Sequence, residues 1–236
     1  MPRARPRRIL ILGDSLAFHR ARDGQRLEEC WPWLLKAQLR TADIWVRSEP
    51  AGLIHRTLAQ VRLFGSSLDL FDMVIVQAGI TDSCPRPIPY WLHLFLGRLG
   101  DGWLQRFVNR HYRLLLRARR QTWTSEDKFR TTLVQILEAV TPTSTLVFVP
   151  IVRPCKKLAA KAPGAAVTAE RYNTIIRTVT ETYGSGSARV LDDFAAACSA
   201  DFVLDDGHHL NAAGHRLLAD QLALCLAQTP RLAIAA

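Results

Sequence analysis

The sequence predicts an α/β domain of three-layer α/β/α, flavodoxin-like form, with about five parallel strands and a helical insertion after the third. Three observations predict it. Short apolar or β-branched runs recur along the chain, segments of helical period separate them, and the polar residues able to do chemistry fall just past the ends of the runs.

Strand one is 8–12, where Ile9-Leu10-Ile11-Leu12 is apolar throughout, and strand two is 43–47, with Ile44-Trp45-Val46 flanked by charge. Strand three is 73–77, strand four is 145–149, and a weaker fifth is 189–191. Continuous apolar runs are what strands covered on both faces require. Helical segments span about 29–40, 55–65, 125–140, 168–183 and 212–227. This βαβα order implies right-handed crossovers over a parallel sheet, whose ligands bind beyond the carboxyl ends of the strands. Gly13-Asp14-Ser15 lies there after strand one, Gly79-Ile80-Thr81-Asp82 after strand three and Arg153 after strand four. Residues 83–124 break the rhythm, opening on Pro85, Pro87 and Pro89 and continuing into two predicted helices.

With 236 residues, 48% apolar and 22% charged, and no Pro/Gly/Ser-rich linker, the chain reads as one globular domain, 1–236, large enough to bury a core without staples. The apolar run at 9–12 is too short for a signal-peptide core, and no stretch approaches the ~18 apolar residues of a spanning helix, so a cytoplasmic location is expected. Five scattered cysteines without CxxC spacing argue against a disulfide framework or a zinc cage. Neither a metal nor an organic cofactor is expected. The net charge of +10 is local: residues 1–8 hold four Arg and no acid, 98–120 hold seven Arg against Asp101, and the rest balances at 20 basic and 20 acidic residues.

Two segments hold residue types suited to nucleophilic chemistry. Gly13-Asp14-Ser15 sets a hydroxyl directly after a buried strand, where a following helix would aim free N–H groups at it; as a tripeptide alone it favours a plain capping turn. Serine needs a base, usually an imidazole oriented by a carboxylate, and Asp206 and His209 stand three residues apart just before the last helix. Asp205 and His208 form a rival pair at the same spacing, Asn211 is placed to cap the helix, and a solvated capping loop is the plainer alternative.

Taken together, Ile-Leu-Gly-Asp-Ser-Leu near the amino terminus and Asp206-Gly-His-His209-Leu-Asn-Ala-Ala-Gly214-His near the carboxy terminus resemble the first and last blocks of the SGNH/GDSL hydrolase family. The resemblance implies Ser15 as nucleophile, His209 as base and Asp206 as its orienting carboxylate. It also implies an oxyanion hole from the Ser15 amide, the Gly52 amide and an asparagine after strand three. The chain carries Thr81 in place of that asparagine. Thr81, Arg86 or Arg153 would have to substitute, or hydrolysis is weakened. Losing one oxyanion donor typically costs about 10²–10³ in rate.

The expected activity is that of a serine esterase or thioesterase on a small-molecule acyl substrate. Acyl transfer to a hydroxyl or amine, and anionic-ligand binding with little turnover, are the alternatives. Arg86 and Arg153 would grip an anionic group on the substrate, unless they are ordinary surface arginines. In the insertion, Arg106, Arg110, Arg113, Arg117 and Arg120 recur at 4,3,4,3 spacing on one face of an expected single helix. That face fits an acidic carrier domain or an anionic membrane surface, and more plainly a solvated face over a packed stripe. Nucleic acid is not expected, because no nucleic-acid-binding motif accompanies the charge. Trp91, Trp103 and Trp123 fall in the same insertion, where aromatics serve either a core or an acyl pocket.

Overall fold

The strand β1 (Arg8–Gly13) is buried from Ile9 onward, and its side chains divide by parity. Ile9 and Ile11 enter one apolar cluster and Leu10 and Leu12 the other, as the two-residue period of a strand covered on both faces dictates. The computed structural model describes residues 6–99, 102–119 and 121–228. Arg3, Arg5, Asp101 and Arg120, used above for charge, lie outside the described residues.

The chain continues through α1 (Trp31–Gln38), β2 (Asp43–Ser48), α2 (Ile54–Phe64), β3 (Met73–Gln77) and the single turn α3 (Ile80–Ser83). The insertion supplies α4 (Tyr90–Leu99), α5 (Trp103–Arg110) and α6 (Tyr112–Arg119). There follow α7 (Glu126–Val140), β4 (Thr145–Phe148), α8 (Lys156–Lys161), α9 (Ala165–Tyr183), β5 (Ala188–Val190), α10 (Asp192–Ala197) and α11 (Ala212–Gln228). All strand pairings are parallel and the order is β2-β1-β3-β4-β5, the flavodoxin-like arrangement.

Helices α2, α7 and α9 cover one face of the sheet through Leu58, Phe129, Leu133 and Ile176, while α1 and α11 cover the other through Trp31, Leu35, Leu218 and Leu222. Local signals start the helices. Ser125 caps α7 by accepting the Lys128 N–H, with Glu126 and Asp127 in the first turn, and Pro32 sits in the first turn of α1.

Two expectations are corrected. Ser15 opens a three-residue 3-10 turn, Ser15–Ala17, and the next α-helix begins only at Trp31, so the helix that follows β1 does not start at the serine. The arginine-rich segment is two helices kinked at His111, so the insertion holds three helices instead of two. The two helices feed two small clusters. Val108 and Leu115 join Ile88 and Leu96 in one small cluster, whereas Leu116 and Tyr112 pack on Cys84, Ala162 and Ala165.

Candidate active site

The order of the sheet reverses beside β1, with β2 on one side and β3 on the other, and the crevice at that switch is where an α/β sheet opens. Ser15 leaves β1 there. The Asp14 N–H donates to the Gln77 carbonyl of β3 at 3.0 Å, and the Asp14 carboxylate accepts the Leu16 N–H at 2.9 Å. Asp14 thus caps the turn and Ser15 projects from it: the capping and nucleophile readings of the tripeptide describe different residues.

The last loop meets this serine. Ser15 Oγ lies 3.0 Å from His209 Nε2, and His209 Nδ1 lies 2.7 Å from Asp206 Oδ2. The other Asp206 oxygen accepts the backbone N–H groups of His208 at 3.2 Å and His209 at 3.1 Å. A carboxylate so close holds the proton on Nδ1, which leaves the Nε2 lone pair facing the serine hydroxyl. Burial opposes ionisation of Asp206, but the bond from His209 and the neighbouring histidines outweigh it and hold the carboxyl well below the usual range. His208 stacks on His209 with ring centroids 4.1 Å apart, and burial followed by the neighbouring His209 lowers its pKa to about 4. Asp205 is exposed. The later pair, not the rival pair, reaches Ser15.

Backbone detail fixes that loop. Gly207 has φ +88°, and a Cβ on it would stand 1.8 Å from the Cys155 carbonyl oxygen, whose own N–H donates to the Gly207 carbonyl at 2.9 Å. Leu204 N–H bonds the His209 carbonyl at 2.8 Å, and Asn211 caps α11 by accepting the Gly214 N–H at 3.0 Å.

A cavity of about 300 Å³ opens over Ser15, His208 and His209. Thr81, Cys84 and Arg86 line it from beyond β3, and Pro50 and Ala51 from beyond β2. The Gly52 N–H donates to the Glu49 carbonyl at 2.9 Å, so the amide expected in the oxyanion hole is engaged within its own turn. Arg86 stays in the site, its guanidinium carbon 4.3 Å from the Trp123 ring centre and its Nε buried without a hydrogen-bond partner among the described residues. Arg153 is exposed and does not line the cavity, which removes it from the expected clamp. It lies in the loop between β4 and α8. Burial pushes the Cys84 thiol up, in keeping with a lining role.

Sequence reasoning missed Arg20. Its Nη1 lies 3.1 Å from both ring nitrogens of His209, and its Nη2 lies 3.3 Å from Asp206 Oδ2. Gln25 braces it, accepting the Arg20 N–H at 3.0 Å and donating to the Leu210 carbonyl at 2.7 Å. Six other arginines stand in the first 26 residues, and no spacing distinguishes this one. Asp206, His208 and His209 each offer a ligand atom within 4.8 Å of the others. A cation there would meet the Arg20 guanidinium, which makes the set a poor metal site.

The sequence pattern that defines the GDSL-like Lipase/Acylhydrolase family matches residues 11–217. The chain belongs to that family. It is an enzyme of the GDSL/SGNH hydrolase type. Solved structures agree on the fold. The lipase/acylhydrolase from Enterococcus faecalis superposes with a TM-score of 0.63 at 14% identity, covering 93% of this chain and 95% of that one. An alpha/beta hydrolase enzyme from the metagenome of Lake Arreo, Spain, gives 0.61 at 18% identity, covering 94% and 97%. An acetyl xylan esterase gives 0.61 at 16%, covering 93% and 99%. A search of curated proteins found no match. This GDSL-family chain also has no described helix long and apolar enough to cross a membrane, and Cys30, Cys84, Cys155 and Cys198 are free thiols.

Proposed function

We propose that this GDSL-family enzyme is a serine esterase or thioesterase working through an acyl-enzyme. One observation carries the reading: the unbroken relay from Asp206 through His209 to Ser15, at 2.7 and 3.0 Å, beneath an open cavity. Ser15 Oγ attacks the acyl carbonyl while His209 Nε2 takes its proton, and Asp206 stabilises the imidazolium. His209 then protonates the leaving alcohol or thiol. Water, deprotonated by the same nitrogen, attacks the acyl-enzyme, releases the acid and regenerates Ser15.

The oxyanion is assigned to the Ser15 N–H, which has no acceptor among the described residues, and to the Thr81 hydroxyl, which lines the cavity. Arg86, with its unpaired Nε, offers a grip for an anionic group of the substrate. The cavity volume of about 300 Å³ suits a compact acyl group over the serine. The alternatives of acyl transfer and of ligand binding without turnover gain no support from the comparisons.

The test is intact-mass spectrometry after a fluorophosphonate probe, with p-nitrophenyl acyl esters as turnover substrates. A single adduct on the parent protein, lost in Ser15→Ala and His209→Ala, is the expected result. A folded parent protein that takes no adduct and turns over no ester overturns the proposal.

A further inference from the structure

Short helices of an insertion ordinarily hide their large apolar side chains, and these do so only in part. Leu92 and Leu96 of α4 and Leu104 and Val108 of α5 turn inward around a small cluster of their own. The outward stripe of α4 is Trp91, Leu94, Phe95 and Arg98, spaced i, i+3, i+4, i+7. That of α5 repeats the spacing with Trp103, Arg106, Phe107 and Arg110. Trp91 is 68% exposed, Trp103 72% and Leu114, on α6, 66%. Two tryptophans so exposed within thirteen positions exceed the scattered apolar residues of an ordinary surface.

Charge says what covers this face. From 83 to 125 the sequence holds one acidic residue, Asp101, among seven arginines of 98–120 and Arg86. Arg98, Arg110 and Arg113 are exposed, and a groove of about 920 Å³ brings Lys157 and Lys161 of α8 opposite Arg110 and Arg113. The occupant is therefore anionic. A nucleic acid satisfies the guanidinium groups but leaves the aliphatic Leu94 and Leu114 in water. An acidic protein seated in that groove pairs with its arginines and lysines but leaves Trp91 and Trp103, outside its lining, uncovered. An anionic lipid surface takes both, with indole and leucine side chains at the headgroup boundary and arginines among phosphates.

The stripe is anchored on the cavity rim. Tyr90, at the start of α4, packs edge-on to Trp123 at 5.1 Å, and Trp123 lies under Arg86, which lines the cavity. We propose that the outer face of α4, α5 and α6 docks the enzyme on an anionic lipid surface and presents the Ser15 cavity to esters held in it. The docking stands on the surface alone; the lipid-ester substrate rests on the serine-esterase reading.

The experiment is co-sedimentation of the full chain with vesicles of phosphatidylcholine alone or mixed with phosphatidylserine, alongside hydrolysis of a soluble short-chain ester. The parent protein is expected to partition onto the phosphatidylserine vesicles only. Trp91→Ser with Trp103→Ser, and Arg110→Glu with Arg113→Glu, are each expected to reduce that partition at least about tenfold while soluble-ester hydrolysis and fluorophosphonate labelling persist. Ser15→Ala keeps vesicle binding, so a failed esterase reading and a failed docking reading separate. Four results overturn the proposal: no partition of the parent protein, equal partition onto phosphatidylcholine, vesicle binding indifferent to both variant pairs, or a dimer in solution that the tryptophan variants dissociate. Retention on duplex DNA in place of vesicles also overturns it.

Discussion

A threonine hydroxyl is shorter than an asparagine carboxamide and points from a branched carbon, yet Thr81 lies on the wall of the cavity over Ser15. If that hydroxyl holds the oxyanion, Thr81→Val removes one donor at nearly constant volume, and kcat should fall by about 10²–10³ with KM little changed. Thr81→Asn should keep activity; steady-state kinetics on one neutral ester decide both. Arg20 presses on both nitrogens of His209 and holds Asp206 at 3.3 Å. Arg20→Gln keeps a polar side chain but loses that charge, and kcat should fall roughly tenfold, the worth of a charge-assisted contact of about 1.5 kcal/mol. An unchanged rate of fluorophosphonate labelling would discharge Arg20 from that role. The relay residues were legible because their types, order and strand-end placement agree with one chemistry. Arg20 was not, because what selects it is a loop brought back by Gln25, which leaves no pattern in the residues themselves. The Gly52 amide was misjudged for a related reason: backbone hydrogen bonding inside a turn has no sequence signature.

Strands announce themselves when both faces are buried, as in Met73-Val74-Ile75-Val76, and β5 was the weaker because it is a three-residue edge with only half-buried side chains. Helices α2, α7, α9 and α11 were legible from period, whereas α8 and α10 are six residues each, too short for a period to show. The kink at His111 escaped because the arginine spacing is continuous across it. Loops between elements carry their own constraints. The segment holding Asp206 and His209 crosses the start of α8 at Gly207, where there is room for a hydrogen and no more. Gly207→Ala combines a left-handed backbone with a clash against the Cys155 carbonyl, so it should cost roughly 3 kcal/mol or more and displace Asp206. Urea unfolding with a parallel ester assay checks this. A midpoint within error of the parent protein would mean that the two loops part easily.

Across the whole molecule, ionisable groups sealed near the crevice make opposite demands on pH. Asp14 and Asp82 are completely buried, and burial raises them to about 7 and about 6. His208 and His215 are lowered to about 4, again chiefly by burial. The unfolded chain ionises all four near their ordinary values. Between about pH 4 and 6 the unfolded state therefore gains two protons on the histidines and lacks two on the aspartates relative to the folded state. The proton difference between the states is close to zero, so these four groups leave stability nearly flat in that window. From pH 6.5 to 7 Asp14 alone still holds a proton that the unfolded chain has lost, and stability falls as pH rises through that interval. Asp14→Asn keeps an acceptor for the Leu16 N–H and removes this titration. Relative to the parent protein, the variant should gain up to about 1.4 kcal/mol for each pH unit crossed between 4 and 7, with no further gain above pH 7. The same change exposes the histidine demand, so the variant, unlike its parent, should lose stability on acidification from pH 6 to 4.5. Thermal unfolding of both proteins across pH 4.5–8, read as the difference between them, cancels the contribution of the surface carboxylates. A difference independent of pH would mean that Asp14 is ionised in the folded protein, and the crevice beneath Ser15 would then be far more polar than its burial implies.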